Sequence, residues 1–288
     1  LGDAKADFSW SAAALAGFGV LRREPAALLP WSLVGLVFGL ADQVLDARVE
    51  VLRAAGYSGT WVMPVISLVR AIVAVVAMAI FSAAVYRAVL RPRGEARGRM
   101  RFGRDEIRLT LVWLSQGILL LVASLVAVVP AFLLSTLAAK HSAMGAGTIT
   151  ALSILIVWAA LLARLSLAAP MALAEGRWSG PAAWRMTRGR FWKVLAVHLP
   201  ILLGVGLAFN VSTTLYGLVL GALHIDFPPA ILLHSRSLAE VFSPVRLGLT
   251  MITAILGAAA AAIFYAPAAA IYRDLKGDEP VDQAAVFD

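Results

Sequence analysis

The chain has 288 residues, 61% of them hydrophobic, with a mean hydropathy of +0.85, only 15% charged side chains and a net charge of +8. Soluble domains hold about 45–50% apolar and roughly 25% charged residues, so no soluble core could hide this much apolar surface and lipid must cover the remainder. The absence of cysteine excludes disulfides, thiolate catalysis and cysteine-ligated metals.

Residues 1–24 read as an amphipathic segment, with Phe8, Leu15, Phe18 and Leu21 near one helical face and Arg22-Arg23 closing it. The segment lacks the charged start and short apolar run of a cleavable signal peptide. It opens on Leu1 rather than Met, so a few preceding residues are expected. Six stretches then reach the roughly 20 apolar residues that a spanning helix needs: 25–45, 62–89, 109–138, 148–173, 194–223 and 247–271. Several exceed that minimum, which predicts tilt or protrusion, and Pro130 and Pro200 are expected kink points. The external segment 226–244, with its Ile231-Leu232-Leu233 run, reads either as a surface loop or as a re-entrant dip.

The basic residues fall unevenly around these spans. Eighteen of the 25 Lys and Arg lie on one side: Lys5, Arg22 and Arg23, then eight from Arg87 to Arg108, five from Arg177 to Lys193, and Arg273 with Lys276. Five (Arg48, Arg53, Lys140, Arg236, Arg246) lie on the other side, while Arg70 and Arg164 fall within spans. The positive-inside rule makes the basic side cytoplasmic, with both termini there. The Arg- and Ala-rich composition points to a bacterial inner membrane. The basic loops read as topology signals facing anionic head groups rather than as nucleic-acid contacts, so membrane lipids are the expected partners. Phe102, Trp178, Trp184, Phe191 and Trp192 read as interfacial anchors among them.

Each pair of spans is introduced by a short segment ending in basic residues: Phe8–Arg23, Met100–Arg108 and Trp178–Lys193. The closing residues Arg23, Arg108 and Lys193 stand 85 residues apart in both intervals. Tyr86-Arg87 closes the first hairpin and Tyr272-Arg273 the last, and Ala169-Pro170 matches Ala266-Pro267. The expected fold is therefore all-α. It is a single membrane domain over 1–288, with hairpins at 25–90, 109–173 and 194–273, amphipathic cytoplasmic elbow helices, and a tail at 274–288.

The run from Ala169-Pro170 through Trp178-Ser-Gly-Pro-Ala-Ala-Trp184 to Thr187-Arg-Gly-Arg-Phe-Trp-Lys193 resembles an element of certain six-helix membrane proteins, an in-membrane proline followed by an elbow of the form ALxxSWxLTRGxFW. Phe8 to Pro25 is similar to the opening of the same group. That group comprises the membrane domain of glycerophosphoryl-diester phosphodiesterases and related integral membrane proteins. The resemblance implies a shared membrane fold and no activity, since the catalytic unit of the phosphodiesterases is a separate soluble domain and only 15 residues follow Arg273. Ala183 stands where a Ser is common in the elbow.

Arg164 lies 11 residues before Glu175 in the fourth span, about 16 Å along a helix. A mid-depth arginine costs at least ~2.5 kcal/mol to insert, so it should face a polar interior, as an anion or lipid-phosphate contact or as a structural partner of backbone carbonyls. Arg70 is either buried in a span starting at Val62 or an outer-interface anchor. His198 and Asn210, three turns apart, suit a helix-packing hydrogen bond better than a proton relay, because no carboxylate is near in sequence. Asp42, Asp46 and Glu50 recur every four residues along one helix face, as a solvated stripe balanced by Arg53 or a cation site. His224, Asp226 and His234 lack metal-site spacing. Gly35-xxx-Gly39 and Gly217-xxx-Gly221 permit close helix approach, within the bundle or in a homo-oligomer.

Ser-His-Asp spacing, a phosphate-cradling glycine loop and HExxH are all missing, so neither catalysis nor a cofactor or metal is expected. Two functions remain in view. One is binding or moving a lipid, amphiphile or small anion, with Arg164, Arg70, His198 and Asn210 as binding candidates. The other is a non-transporting scaffold or assembly factor that holds a membrane-protein partner.

Overall fold

Ser9 opens the first helix, α1 (Trp10–Arg23): its hydroxyl accepts the Ala12 N–H at 3.4 Å, and the chain leaves the helix at Glu24, just before Pro25. Arg22 and Arg23 in the last turn suit the negative end of the helix dipole. Pro25 begins a short 3-10 turn (Pro25–Ala27) that leads into α2 (Leu28–Ala54). A second 3-10 turn, Tyr57–Gly59, joins α2 to α3 (Val62–Leu90). The remaining elements are α4 (Arg104–Ala139), α5 (Ala143–Leu165), α6 (Ala168–Glu175), α7 (Gly180–Met186), α8 (Phe191–Ala222), α9 (Leu238–Val241) and α10 (Pro244–Lys276). This computed structural model describes residues 8–91, 100, 103–139, 143–178, 180–224 and 237–276.

Among the described residues every regular element is helical, and six helical stretches are long and apolar enough to cross a membrane. The 27 residues of α2 extend about 40 Å, against a hydrocarbon thickness of about 30 Å. The protein is an all-α, multi-pass membrane bundle. Arg93, Arg97, Arg99, Arg101, Phe102, Lys140, Asp226, His234, Arg236 and the tail beyond Lys276 lie outside the described residues, as does most of 226–244; only its last part forms α9, capped by Ser237.

The tight core sits at the arginine-rich end. There α3 is buried from Ser82 to Val89 and α10 from Tyr265 to Tyr272, around Leu109, Val112, Leu167, Leu173, Val194 and Val197. Small residues make this contact: Ala79, Ala83, Ala84, Ala258, Ala262, Ala266 and Ala269 are all fully buried. This is how helices associate where lipid removes the hydrophobic drive and close backbone packing replaces it. Away from this end, large apolar side chains such as Leu33, Val37, Leu121, Val126, Leu203, Leu207 and Ile255 point outward, as lipid contact requires.

Helix α10 is the hub, packing on α1, α2, α3 and α8, whereas α4 and α5 form a pair of their own. On α1 the small face, Ala13, Gly17 and Val20, is buried. A Cβ on Gly17 would collide with the Ile263 Cα, so only glycine permits this crossing. Leu15 and Phe18 face outward instead. The first elbow thus docks through its small residues and leaves large ones exposed. The second elbow segment, from Arg104 on, forms the first turns of α4, because Glu106 accepts the Gly103 N–H at 2.9 Å and starts the helix there. The third is the separate helix α7.

The two glycine pairs behave differently. Gly35 and Gly39 pack on α10 at Ala254 and Thr250, whereas Gly217 and Gly221 have nothing among the described residues within 4 Å of an added Cβ. Pro130, Pro200 and Pro267 sit inside unbroken helices. The break falls elsewhere, between α5 and α6.

Candidate functional site

The apolar run 148–173 reads as one helix, but the chain turns at Ser166–Leu167 and restarts as α6. Pro170 supplies a local reason: its ring cannot coexist with a helical carbonyl four residues back, at Ser166. A helix end leaves its last carbonyls without partners, which lipid cannot satisfy. Side chains do so here. Gln116 of α4 donates its Nε2 to the Leu165 carbonyl at 3.3 Å, and Ser166 Oγ donates to the Ala163 carbonyl at 3.2 Å. The fully buried Thr187, just after α7, has its hydroxyl 3.2 Å from the Arg164 carbonyl and 3.1 Å from those of Ala183 and Trp184. The elbow is therefore packed against the break.

Two hollows flank this break. On the inner side, between the α4–α5 pair and helices α3, α8 and α10, lies a cavity of about 300 Å³. Apolar side chains such as Val75, Met78, Leu161 and Leu162 form much of its wall, which Tyr86, Trp113, Gln116, Ser166, His198 and Tyr265 complete. Trp113 donates to Ser82 Oγ at 3.0 Å and stacks edge-on to Tyr265, with ring centroids 5.7 Å apart. This aromatic wall is thereby fixed. On the outer side, a groove of about 480 Å³ runs between α4 and the elbow, lined by Leu119, Val122, Trp178, Pro181 and Trp184. Gln116 and Leu165 line both hollows, so the Gln116–Leu165 hydrogen bond belongs to the partition between them.

The binding candidates are scattered across this frame. Arg164, the penultimate residue of α5, is held at the elbow: its guanidinium carbon lies 5.4 Å from the Trp184 ring centre and 5.2 Å from that of Phe191, the first residue of α8. Its Nη1 is buried without a hydrogen-bond partner, and no carboxylate pairs with it among the described residues. Two aromatic faces stabilise the charge in place of a counter-ion.

His198 reaches the inner cavity. Its Nδ1 lies 2.9 Å from the Val194 carbonyl. A carbonyl can only accept, so Nδ1 carries the proton and Nε2 of the neutral ring is an acceptor. Asn210 is not brought to it. Its amide donates to Gly206 of its own helix at 2.9 Å, on an exposed face.

Arg70 stands at the opposite end of the bundle, eight residues into α3, and closes on α2. Its Nε and Nη2 meet Asp42 at 2.9 and 3.1 Å, and its Nη1 meets Asp46 at 2.9 Å. Asp42 and Asp46 are thus engaged by Arg70, and Glu50 by Arg53 at 2.6 Å. Next to this cluster the buried Arg246 donates to Gln43 Oε1 at 2.8 Å, and Gln43 donates to Thr250 Oγ1 at 2.6 Å. This polar network ties α2, α3 and α10 together; it faces neither hollow.

No family model, curated protein or solved structure matches the chain. The residues at the centre of the break are not legible in the sequence. Gln116 and Thr187 carry no motif, and only the in-membrane proline hinted at a discontinuity. Among the described residues no three His, Asp or Glu side chains gather as a metal-ligand set.

Proposed function

We propose that this protein binds an amphiphile inside the membrane, with the apolar part of the ligand in the cavity beside the α5–α6 break. The observation that carries this reading is a helix interrupted within a span, opening on an apolar cavity with few polar atoms. Irregular backbone at membrane depth is tolerated where it is buried in protein or lines a cavity, and discontinuous helices commonly frame the binding sites of transporters. His198 Nε2 would accept a hydrogen bond from a ligand hydroxyl or protonated group. Arg164 serves the outer side of the break, while Arg70 and Asn210 have structural roles.

In the same reading the arginine-rich end faces the cytoplasm of a bacterial cell, by the positive-inside rule. The membrane domain of glycerophosphoryl-diester phosphodiesterases is proposed as a structural relative, on the strength of the proline, the elbow helix α7 and the hairpin layout.

The test is native mass spectrometry of protein released from nanodiscs, wild type beside Ala268→Phe and Leu162→Trp, both of which fill the cavity. The wild type should carry a bound amphiphile that both variants lose. An adduct that persists unchanged in folded variants refutes the reading.

One observation favours the alternative, a scaffold for a partner membrane protein. Gly204, Gly206, Gly217 and Gly221 of α8 have nothing among the described residues within 4 Å of an added Cβ, which would leave small residues for a second helix. Co-purification of a partner at fixed stoichiometry, lost on Gly217→Leu, would support that role.

A further inference from the structure

The outer groove carries a second assignment, and it stands whether or not the inner cavity is filled. We infer that the groove between α4 and the elbow holds an acyl chain of an anionic phospholipid whose phosphate is drawn to Arg164.

The groove wall is apolar: Leu119 and Val122 of α4 on one side, Trp178, Pro181 and Trp184 on the other. Trp178 is held there by donating its indole N–H to Ser115 Oγ at 3.3 Å. A hollow of this composition on a bilayer-facing surface suits a hydrocarbon chain. Trp178 and Trp184 together form the kind of amphipathic aromatic edge that sits at head-group level.

Charge chooses among lipids. The ring that walls the groove, Trp184, is the ring on which the Arg164 guanidinium lies. Arg164 is part-exposed and has no carboxylate partner among the described residues; its buried Nη1 is out of reach, so a phosphate would meet the remaining guanidinium nitrogens. Arg70 differs in being paired with Asp42 and Asp46, Arg87 in being paired with Glu106 and Asp105, and Arg246 in donating to Gln43. A cation left without a counter-ion beside an apolar groove matches a ligand with one anionic group and a hydrocarbon tail. The elbow adds Arg185, Arg188 and Arg190 to the same end of the molecule.

The experiment reconstitutes the full chain in nanodiscs of equimolar phosphatidylglycerol and phosphatidylcholine and counts retained lipids by native mass spectrometry. The wild type should retain phosphatidylglycerol in preference to phosphatidylcholine. Arg164→Gln should lower that preference about fivefold, the worth of one basic side chain at an anionic surface, and Arg164→Lys should keep part of it. Leu119→Trp, which fills the groove without touching the charge, should reduce retention of both lipids. An unchanged preference in Arg164→Gln overturns the assignment. Should that variant fail to fold, unchanged retention in Leu119→Trp overturns it instead. Displacement of the lipid by inorganic phosphate would assign Arg164 to a free anion and also overturn the lipid assignment.

Discussion

Arg87 and Glu106 have the most consequential polar contact at the scale of single residues. Their side chains are 3% and 1% exposed and meet at 2.7 Å, joining the end of α3 to the start of α4. Removing one partner of a buried pair costs about 3–5 kcal/mol, and here the part-exposed Asp105, 3.8 Å from Arg87, would offset only part of it. Glu106→Ala should therefore lower the melting temperature in detergent sharply, and Glu106→Gln less; a melt unchanged in both would refute the buried-pair account. Gly17 is the steric counterpart. Gly17→Val must displace α10 backbone and should cost about 1–3 kcal/mol of overpacking, read as a lower melting temperature and faster hydrogen exchange in α1. The sequence does place Arg87 at the basic side of the second span, yet gives it the look of a topology charge. Its closest partner, Glu106, is 19 residues away across a basic loop, with Asp105 beside it at 3.8 Å, and nothing in local composition marks either as a partner. Arg70 is hard to read from sequence for the same reason: its carboxylates are 24 and 28 residues earlier on another helix.

At the scale of elements, apolar length is enough to find the six spans, because lipid imposes one demand on every spanning helix. It cannot find the break. Ala169-Pro170 and Ala266-Pro267 are the same dipeptide in similar apolar surroundings, yet one follows a turn and the other continues a helix. What separates them is tertiary: Gln116 and Thr187 stand ready to bind the carbonyls that the break at Ser166 frees. Gln116→Leu should cost about 1–3 kcal/mol by leaving a buried carbonyl unsatisfied. If Pro170 enforces the break, Pro170→Ala should lessen that cost, and a double-mutant cycle on thermal stability should give a coupling of roughly 0.5–3 kcal/mol. Strict additivity would mean that the two residues act independently.

At the scale of the whole molecule, the bundle is closed at its arginine-rich end and hollow beside the α5–α6 break, with a separate polar lock (Arg70, Asp42, Asp46, Gln43, Arg246) at the other end. The asymmetry of charge predicts its orientation. Because the chain has no cysteine, single cysteines can be placed without clearing a background. Arg188→Cys should react with a membrane-impermeant maleimide only in inverted vesicles, and Leu223→Cys only in intact spheroplasts; the reverse pattern would invert the topology. The central claim is that a helix broken at Ser166–Leu167 borders a ligand-filled cavity within the membrane. A cryo-electron microscopy map of the protein in nanodiscs tests it most directly. The account predicts separate α5 and α6 helices, with elongated density beside Trp113, His198 and Tyr265. A continuous helix through Leu167, with α4 and α5 collapsed onto α3 and α10 and no space between them, would contradict it.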